Sequence, residues 1–371
     1  NTNGTRTATS IGLVPYTDGV NLPSTLMAKY TVTNVSNVTN ANCIDIPAGD
    51  FSTAAMTTTT AYQTMVPVDL ATTTTTSSPT IYYPSNSTTA ATPATTSAGC
   101  PAYTNNVLRT PTNAAATIKT NITNAQFFGG LRWDHGMHWA SAMLHPGTNA
   151  AIATFLPAAI NARPLAYNAT NTQKVIVFVN RSGSGSNPTD GSHLMLATAF
   201  ASGTSPIWRD ASVPPLYCIQ LTARGSNQFY RPDTNTWSTA CPGTYTRLTW
   251  AQVFGSVRAQ WVAWQLYARG LQTTASPTLA AVQASFTSSW ASMQQSLPFA
   301  TQSTQFLAEC SAAKANGVVI YTVALAAVPR ALTPLQTCAT SPAHYFEATA
   351  TNFTDVMKLI ALTINQQAYS Q

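Results

Sequence analysis

FLAECSAAKANGVVIYTVALAAVPRALTPLQTCATSPAHYFEA, residues 306–348, is the stretch whose periodicity decides the fold class. Phe306, Leu307, Cys310 and Ala313 recur at helical spacing, and Asn316-Gly317 supplies the residues that close a helix. Val318 to Ala326 is apolar and β-branched, as a buried strand is. A short helix around Leu335 to Ala339 leads to a second strand, His344 to Ala348. Phe353, Val356, Met357, Ile360, Ala361 and Ile364 then follow i, i+3, i+4, i+7 spacing and predict an amphipathic closing helix. Alternating helices and strands imply right-handed crossovers, hence an α/β fold with a mainly parallel sheet flanked by helices.

A third strand is predicted upstream, at Lys174 to Asn180, where Val175 to Val179 run apolar and a Ser/Gly turn follows. The carboxyl end of such a strand is where α/β proteins bind ligands, so Asn180-Arg181-Ser182-Gly183-Ser184-Gly185 bears on function. A phosphate loop would need GxxxxGK[ST], and the lysine is missing. A dinucleotide fingerprint would open a helix, whereas Gly183-Ser184-Gly185 leads to Asn187-Pro188, and no GxSxG nucleophile elbow is present. Asn180-x-Ser182-x-Ser184 is near the metal loop D-x-S-x-S, but Asn offers a neutral carbonyl and Arg181 adds a cation. The stretch reads as a Ser/Gly turn leaving a strand.

The second candidate is Asp134-His135-Gly136-Met137-His138, with His145 downstream. His135 and His138 at i, i+3 can share a helix face and, with a carboxylate, hold a transition metal. The flanking Trp133 and Trp139 favour instead the tightly packed start of a helix over Trp133 to Leu144, stopped by Pro146. Further on, Thr249-x-x-Gln252 is a capping box opening a helix with the stripe Trp250, Val253, Phe254, Val257, Trp261 and Trp264. Another helix is expected from Thr278 to Leu297, and a strand at Ile11 to Tyr16. Residues 22–112 (rich in Thr, Ser and Pro) and 183–247 read as loop-rich insertions within a single domain spanning 1–371, the second followed by helices over 249–297.

Composition narrows the function. Apolar residues make up 44% of the chain, enough for a large core, but only 8% are charged, against the usual ~25%. The surface is therefore made of Thr, Asn, Ser, Ala and Gln, with little charge repulsion to keep copies apart. The net charge of +6 reflects scarce acids, not basic clusters, and nucleic acid is excluded as a partner. Six cysteines, Cys43, Cys100, Cys218, Cys241, Cys310 and Cys338, form no metal motif and predict three disulfides in an oxidising compartment. Pairing of sequence neighbours is the simplest of the 15 connectivities that six cysteines allow. No apolar run reaches the ~18 residues that a membrane span requires, and Asn1 opens no signal peptide.

Four blocks of the chain resemble the TadG-like family of Tad/Flp pilus-assembly proteins, bacterial cell-envelope proteins with a von Willebrand factor A-type domain. The most specific block is Cys310 to Val323 with Leu335 to Ala348. The others are Ile11-Gly-Leu-Val-Pro-Tyr16 with Val20-Asn21, Gly129-Gly130-Leu131 with Gly136-Met137-His138-Trp139-Ala140 and Leu144-His145-Pro146, and Lys174 to Phe178. The resemblance implies a von Willebrand A-like (Rossmann-like) sheet and a degenerate ion site. The family's Thr-Asp-Gly falls on Asn180-Arg181-Ser182, and its site threonine falls on Leu131. The family's D-x-S-x-S strand and transmembrane anchor would precede Asn1, leaving a central strand to come from upstream residues or a neighbouring copy.

The expectation is a non-enzymatic protein of the bacterial surface or periplasm, without cofactor or metal, whose partners are copies of itself or pilus and envelope components. A metal-dependent adhesin and a secreted α/β hydrolase are the alternatives. The first requires a working ion site, and the second a catalytic cluster that the eleven scattered carboxylates do not announce.

Overall fold

The computed structural model describes residues 9–33, 41–66, 100, 104–125, 132–181, 190–274 and 277–369. The first third of the chain carries short strands β1 (Ile11–Leu13), β2 (Thr31–Thr33), β3 (Ile44–Asp45), β4 (Ala61–Thr64) and β5 (Arg109–Thr112). β1 pairs antiparallel with β5, while β4 takes β2 in parallel on one side and β3 antiparallel on the other. Cys43–Cys100 ties this region together, and Cys218–Cys241 and Cys310–Cys338 complete the neighbour pairing.

Helix α1 (Ala115–Asn124) lies on the surface with no buried side chain, whereas α2 (Trp133–Leu144) is buried almost all round. Such a helix belongs between two cores. Trp139, Ala142 and Met143 pack into the N-terminal core, and Trp133 and Met137 into the core beneath the parallel sheet. Gly136 allows this double packing. A Cβ there would stand 2.6 Å from the Tyr16 ring, and Tyr16 is itself stacked on Phe178 at 5.3 Å. Gly136→Ala is therefore expected to destabilise the protein by about 1–2 kcal/mol, the clash outweighing the helix propensity gained. Urea unfolding measures this, and a variant more stable than the parent would show that Tyr16 can retreat.

β6 (Val175–Arg181) alternates half-buried and buried residues. Residues 183–247, expected as loop, differ most from the sequence reading. Beyond β7 (His193–Leu196), the strands β8 (Thr204–Arg209), β9 (Tyr217–Gln220), β10 (Phe229–Arg231), β11 (Thr236–Ser238) and β12 (Thr246–Thr249) form a five-stranded antiparallel sheet. Antiparallel strands need only tight turns between them, so Gly, Pro and Asn punctuation is compatible with a sheet. Asn235, at φ 54°, makes the turn between β10 and β11.

α3 (Trp250–Ser256) opens with the capping box: Gln252 N–H donates to Thr249 Oγ1 at 3.2 Å, and Thr249 N–H to Gln252 Oε1 at 2.9 Å. The apolar stripe expected of one helix is buried throughout, but the helix breaks at Val257 (φ −140°), resumes at Ala259–Trp261 and continues as a π-helical segment, Val262–Ala268. α4 (Leu279–Ser292) is likewise shorter than expected. Gln294–Leu297 leaves it to become β13, because His193–Leu196 offers an antiparallel partner in full register.

The final region follows the expected order: α5 (Phe299–Ala315), β14 (Val319–Leu325), α6 (Pro329–Cys338), β15 (Tyr345–Ala348) and α7 (Phe353–Tyr369). Gly317, at φ 77°, takes the left-handed conformation that ends α5. β14 pairs in parallel with both β15 and β6, giving the order β15-β14-β6. α7 packs on one face over Tyr321, Val323 and Ala348, while α2, α5 and α6 pack on the other, where Trp133 stacks on Phe306 at 4.7 Å. The expectation of an α/β fold with a parallel sheet flanked by helices thus holds in part. The parallel sheet exists, but it is one of five sheets among the described residues, in a mixed α/β architecture. No helix among the described residues is long and apolar enough to cross a membrane.

Candidate functional site

Of the four positions expected to be the relics of an ion site, the structure describes Asn180 and Arg181. Leu131 and Ser182 lie outside the described residues. Arg181 is exposed at the end of β6, and Asn180, fully buried, donates from Nδ2 to the Tyr16 hydroxyl at 3.1 Å. That hydroxyl donates in turn to the Val179 carbonyl at 3.0 Å, so Asn180 helps to lock Tyr16 onto the strand.

A different polar cluster forms two residues from Tyr16. The Thr17 carbonyl accepts from Arg132 N–H at 2.7 Å, seating the start of α2 beside the carboxyl end of β6. Arg132 Nη2 lies 2.6 Å from Asp134 Oδ2, and its Nε contacts both carboxylate oxygens at 2.9 and 3.1 Å. Both side chains are buried. Asp18 follows β1, Asp45 ends β3 and His193 begins β7, so with the start of α2 four segments deliver ionisable groups to one junction. Arg132 is electrostatically coupled to Asp134, Asp45 and Asp18, which together hold its guanidinium more firmly protonated.

Burial sets the protonation of the remaining groups. Desolvation pushes the Asp18 carboxyl up to about 8 although Arg132 opposes it, and raises Asp45 in the same way. Desolvation, aided by Arg132, lowers His193 to about 3. His193 Nδ1 and Asp18 Oδ1 lie 3.5 Å apart. That contact would be an ion pair with a charged imidazole, but burial disfavours both charges, so at neutral pH Asp18 is protonated and His193 is neutral.

The histidine motif is brought into this environment, but not as a metal centre. His135 is fully buried, with both ring nitrogens lacking a hydrogen-bond partner among the described residues. Burial lowers its pKa well below the ordinary value, and Arg132, His138 and His193 add to the effect. His138 Nδ1 instead meets Glu309 Oε2 of α5 at 2.9 Å, both residues fully buried. Burial raises the Glu309 pKa, and hydrogen bonding to His138 opposes the rise. Phe51 covers both histidine rings at 5.7 Å. His145 lies apart, at the end of α2, accepting from Gly147 N–H at 3.1 Å. Among the described residues, no three His, Cys, Asp or Glu side chains are arranged to hold a metal ion.

Chemically, an imidazole–carboxylate pair can move a proton, but a general base must come within hydrogen-bond reach of its substrate. His138 and Glu309 are fully buried, with Phe51 against the His138 ring. Arg132 also places a fixed positive charge among the carboxylates. The cluster is therefore a polar clamp joining α2, α5 and the N-terminal segment. Sequence reasoning missed Asp18, Asp45, Arg132, His193 and Glu309. A usable signal was the scarcity of acids: four of the chain's eleven carboxylates, those of Asp18, Asp45, Asp134 and Glu309, converge here. No protein-family model matches the chain, and no curated protein and no solved structure does either.

Proposed function

We propose that this is a non-enzymatic extracytoplasmic protein of the bacterial cell envelope, acting in assembly or surface interaction and associating with itself. The reading draws on the resemblance to TadG-like pilus-assembly proteins and their von Willebrand A-type domain, with its ion site degenerate. The observation that carries it is Arg132, buried against Asp134 and coupled to Asp45 and Asp18 beside the carboxyl end of β6. With a guanidinium there, the carboxylates are neutralised from within the chain, and recognition falls to the outer surface. Three disulfides are compatible with an oxidising, extracytoplasmic location, and the charge-poor surface favours contact between copies.

Calorimetric titration with Mg²⁺ or Mn²⁺ is expected to give no binding heat. A dissociation constant below about 1 mM would favour a metal-dependent adhesin instead. Hydrolysis of a chromogenic ester that disappears in His138→Ala would favour a hydrolase. Sedimentation equilibrium is expected to show concentration-dependent association, and a monomer at every concentration would remove the self-association part of the reading.

A further inference from the structure

The parallel sheet ends on β6, and among the described residues no strand pairs with its other edge. The ladder identifies which backbone groups lie there. Val319 N–H donates to the Lys174 carbonyl at 2.9 Å, and the parallel register runs from Val319↔Val175 to Leu325↔Arg181. In such a ladder Lys174, Ile176, Phe178 and Asn180 turn their backbone groups towards β14, so Val175, Val177 and Val179 turn theirs outward. The Tyr16 hydroxyl, donating to the Val179 carbonyl, lies on that outer side. Val175, Val177 and Val179 are also only half-buried, on the face that α7 covers. Proteins usually blunt such an edge with proline, a bulge or charge along the strand. VIVFVNR carries none of these before its last residue, Arg181.

From this geometry we infer that the β6 edge is a docking site for the β6 edge of a second copy, joining two three-stranded sheets into one across a two-fold axis. The inference rests on the self-association proposed above and names its surface. An edge pairing with itself must be self-complementary, and β6 is. With Val177 opposite the partner's Val177, Val175 faces the partner's Val179, Lys174 faces Asn180 and Arg181 faces Gln173. No like charges oppose each other, and the outward N–H groups of Val175, Val177 and Val179 each face an outward carbonyl of the partner. The Val179 carbonyl keeps the Tyr16 hydroxyl as its donor and offers the partner only its second lone pair, and the half-buried valines of both copies share one apolar stripe beside the two α7 helices.

Val177→Pro tests the inference selectively. It removes an outward N–H while leaving the Ile176 and Phe178 groups that bond to β14. In sedimentation equilibrium the parent chain is expected to dimerise, and the variant to dissociate about tenfold more readily or worse, with its circular dichroism retained. In the parent, amide exchange at Val175, Val177 and Val179 should slow as protein concentration rises, a readout that stands even if the proline variant does not fold. A dimer equally tight in the variant would overturn the β6 edge and leave self-association standing. Amides protected to the same degree at every concentration would mean that the edge is filled from within its own chain, overturning the inference. A parent that stays monomeric with unprotected amides would overturn both the inference and the reading beneath it.

Discussion

Arg132→Met is expected to lower the unfolding free energy by about 3–5 kcal/mol at neutral pH, the scale for removing one partner of a buried ion pair. Methionine keeps the aliphatic bulk and removes only the guanidinium. Asp134, with no exposed surface, then loses a partner that contacts both of its oxygens, and Asp45 loses a countercharge. The loss is mostly the penalty for leaving a carboxylate buried without compensation, not the worth of the pair itself. The double variant Arg132→Met/Asp134→Leu should therefore recover much of the stability, because removing both charges leaves neither uncompensated. Urea unfolding of the parent, the two single variants and the double variant measures the coupling. A single-variant loss below about 1 kcal/mol would place the pair in the range of solvent-exposed ion pairs and end its role as a clamp.

The second large effect is in the pH dependence. Asp18 has a folded-state pKa of about 8, above its ordinary value of 3.8. Its contribution to stability is therefore complete below about pH 4 and lost as pH rises towards 8. His193 has a folded-state pKa of about 3, below its ordinary 6.5. Its contribution is complete above about pH 6.5 and lost as pH falls towards 3. His135, with its pKa lowered in the same direction, acts in the same sense. Each fully uncoupled proton changes stability by about 1.4 kcal/mol per pH unit. Asp18→Asn should accordingly gain on the parent by several kcal/mol, on the order of 4–5, between pH 4 and 8. His193→Gln should gain on the parent as pH falls from 6.5 to 4. Denaturation midpoints at half-unit intervals test both curves, and parallel curves for parent and Asp18→Asn would show that Asp18 ionises like an exposed aspartate.

These effects arise from the part of the molecule least legible in the sequence. Trp133–Leu144 was readable as a helix from its own spacing and from Pro146, and Thr249 and Gln252 announced their capping box because both partners lie within one turn. Gly317 and the apolar runs on either side of it marked a helix end and a strand start for the same reason. The stripe from Trp250 to Trp264 correctly identified buried residues but not the break at Val257, since burial selects apolar residues whichever backbone presents them. Gln294–Leu297 has no strand signature of its own. It is a strand because His193–Leu196 lies alongside.

The candidate site divides in the same way. Asp134, His135 and His138 stood out by their spacing, but their chemistry depends on Arg132, on Asp18 and Asp45 from the first strands, and on Glu309 some 170 residues downstream. By itself the sequence determined what adjacent residues settle among themselves: helix starts and stops, the apolar runs of the parallel strands and the closing amphipathic helix. Tertiary structure alone decided which of the 15 possible cysteine pairings forms, the five-stranded antiparallel sheet, the place of β6 at the end of its sheet among the described residues and the enclosure of an arginine among aspartates. Strand pairing and desolvation are properties of groups brought together across the chain, and their energies do not exist until those groups meet.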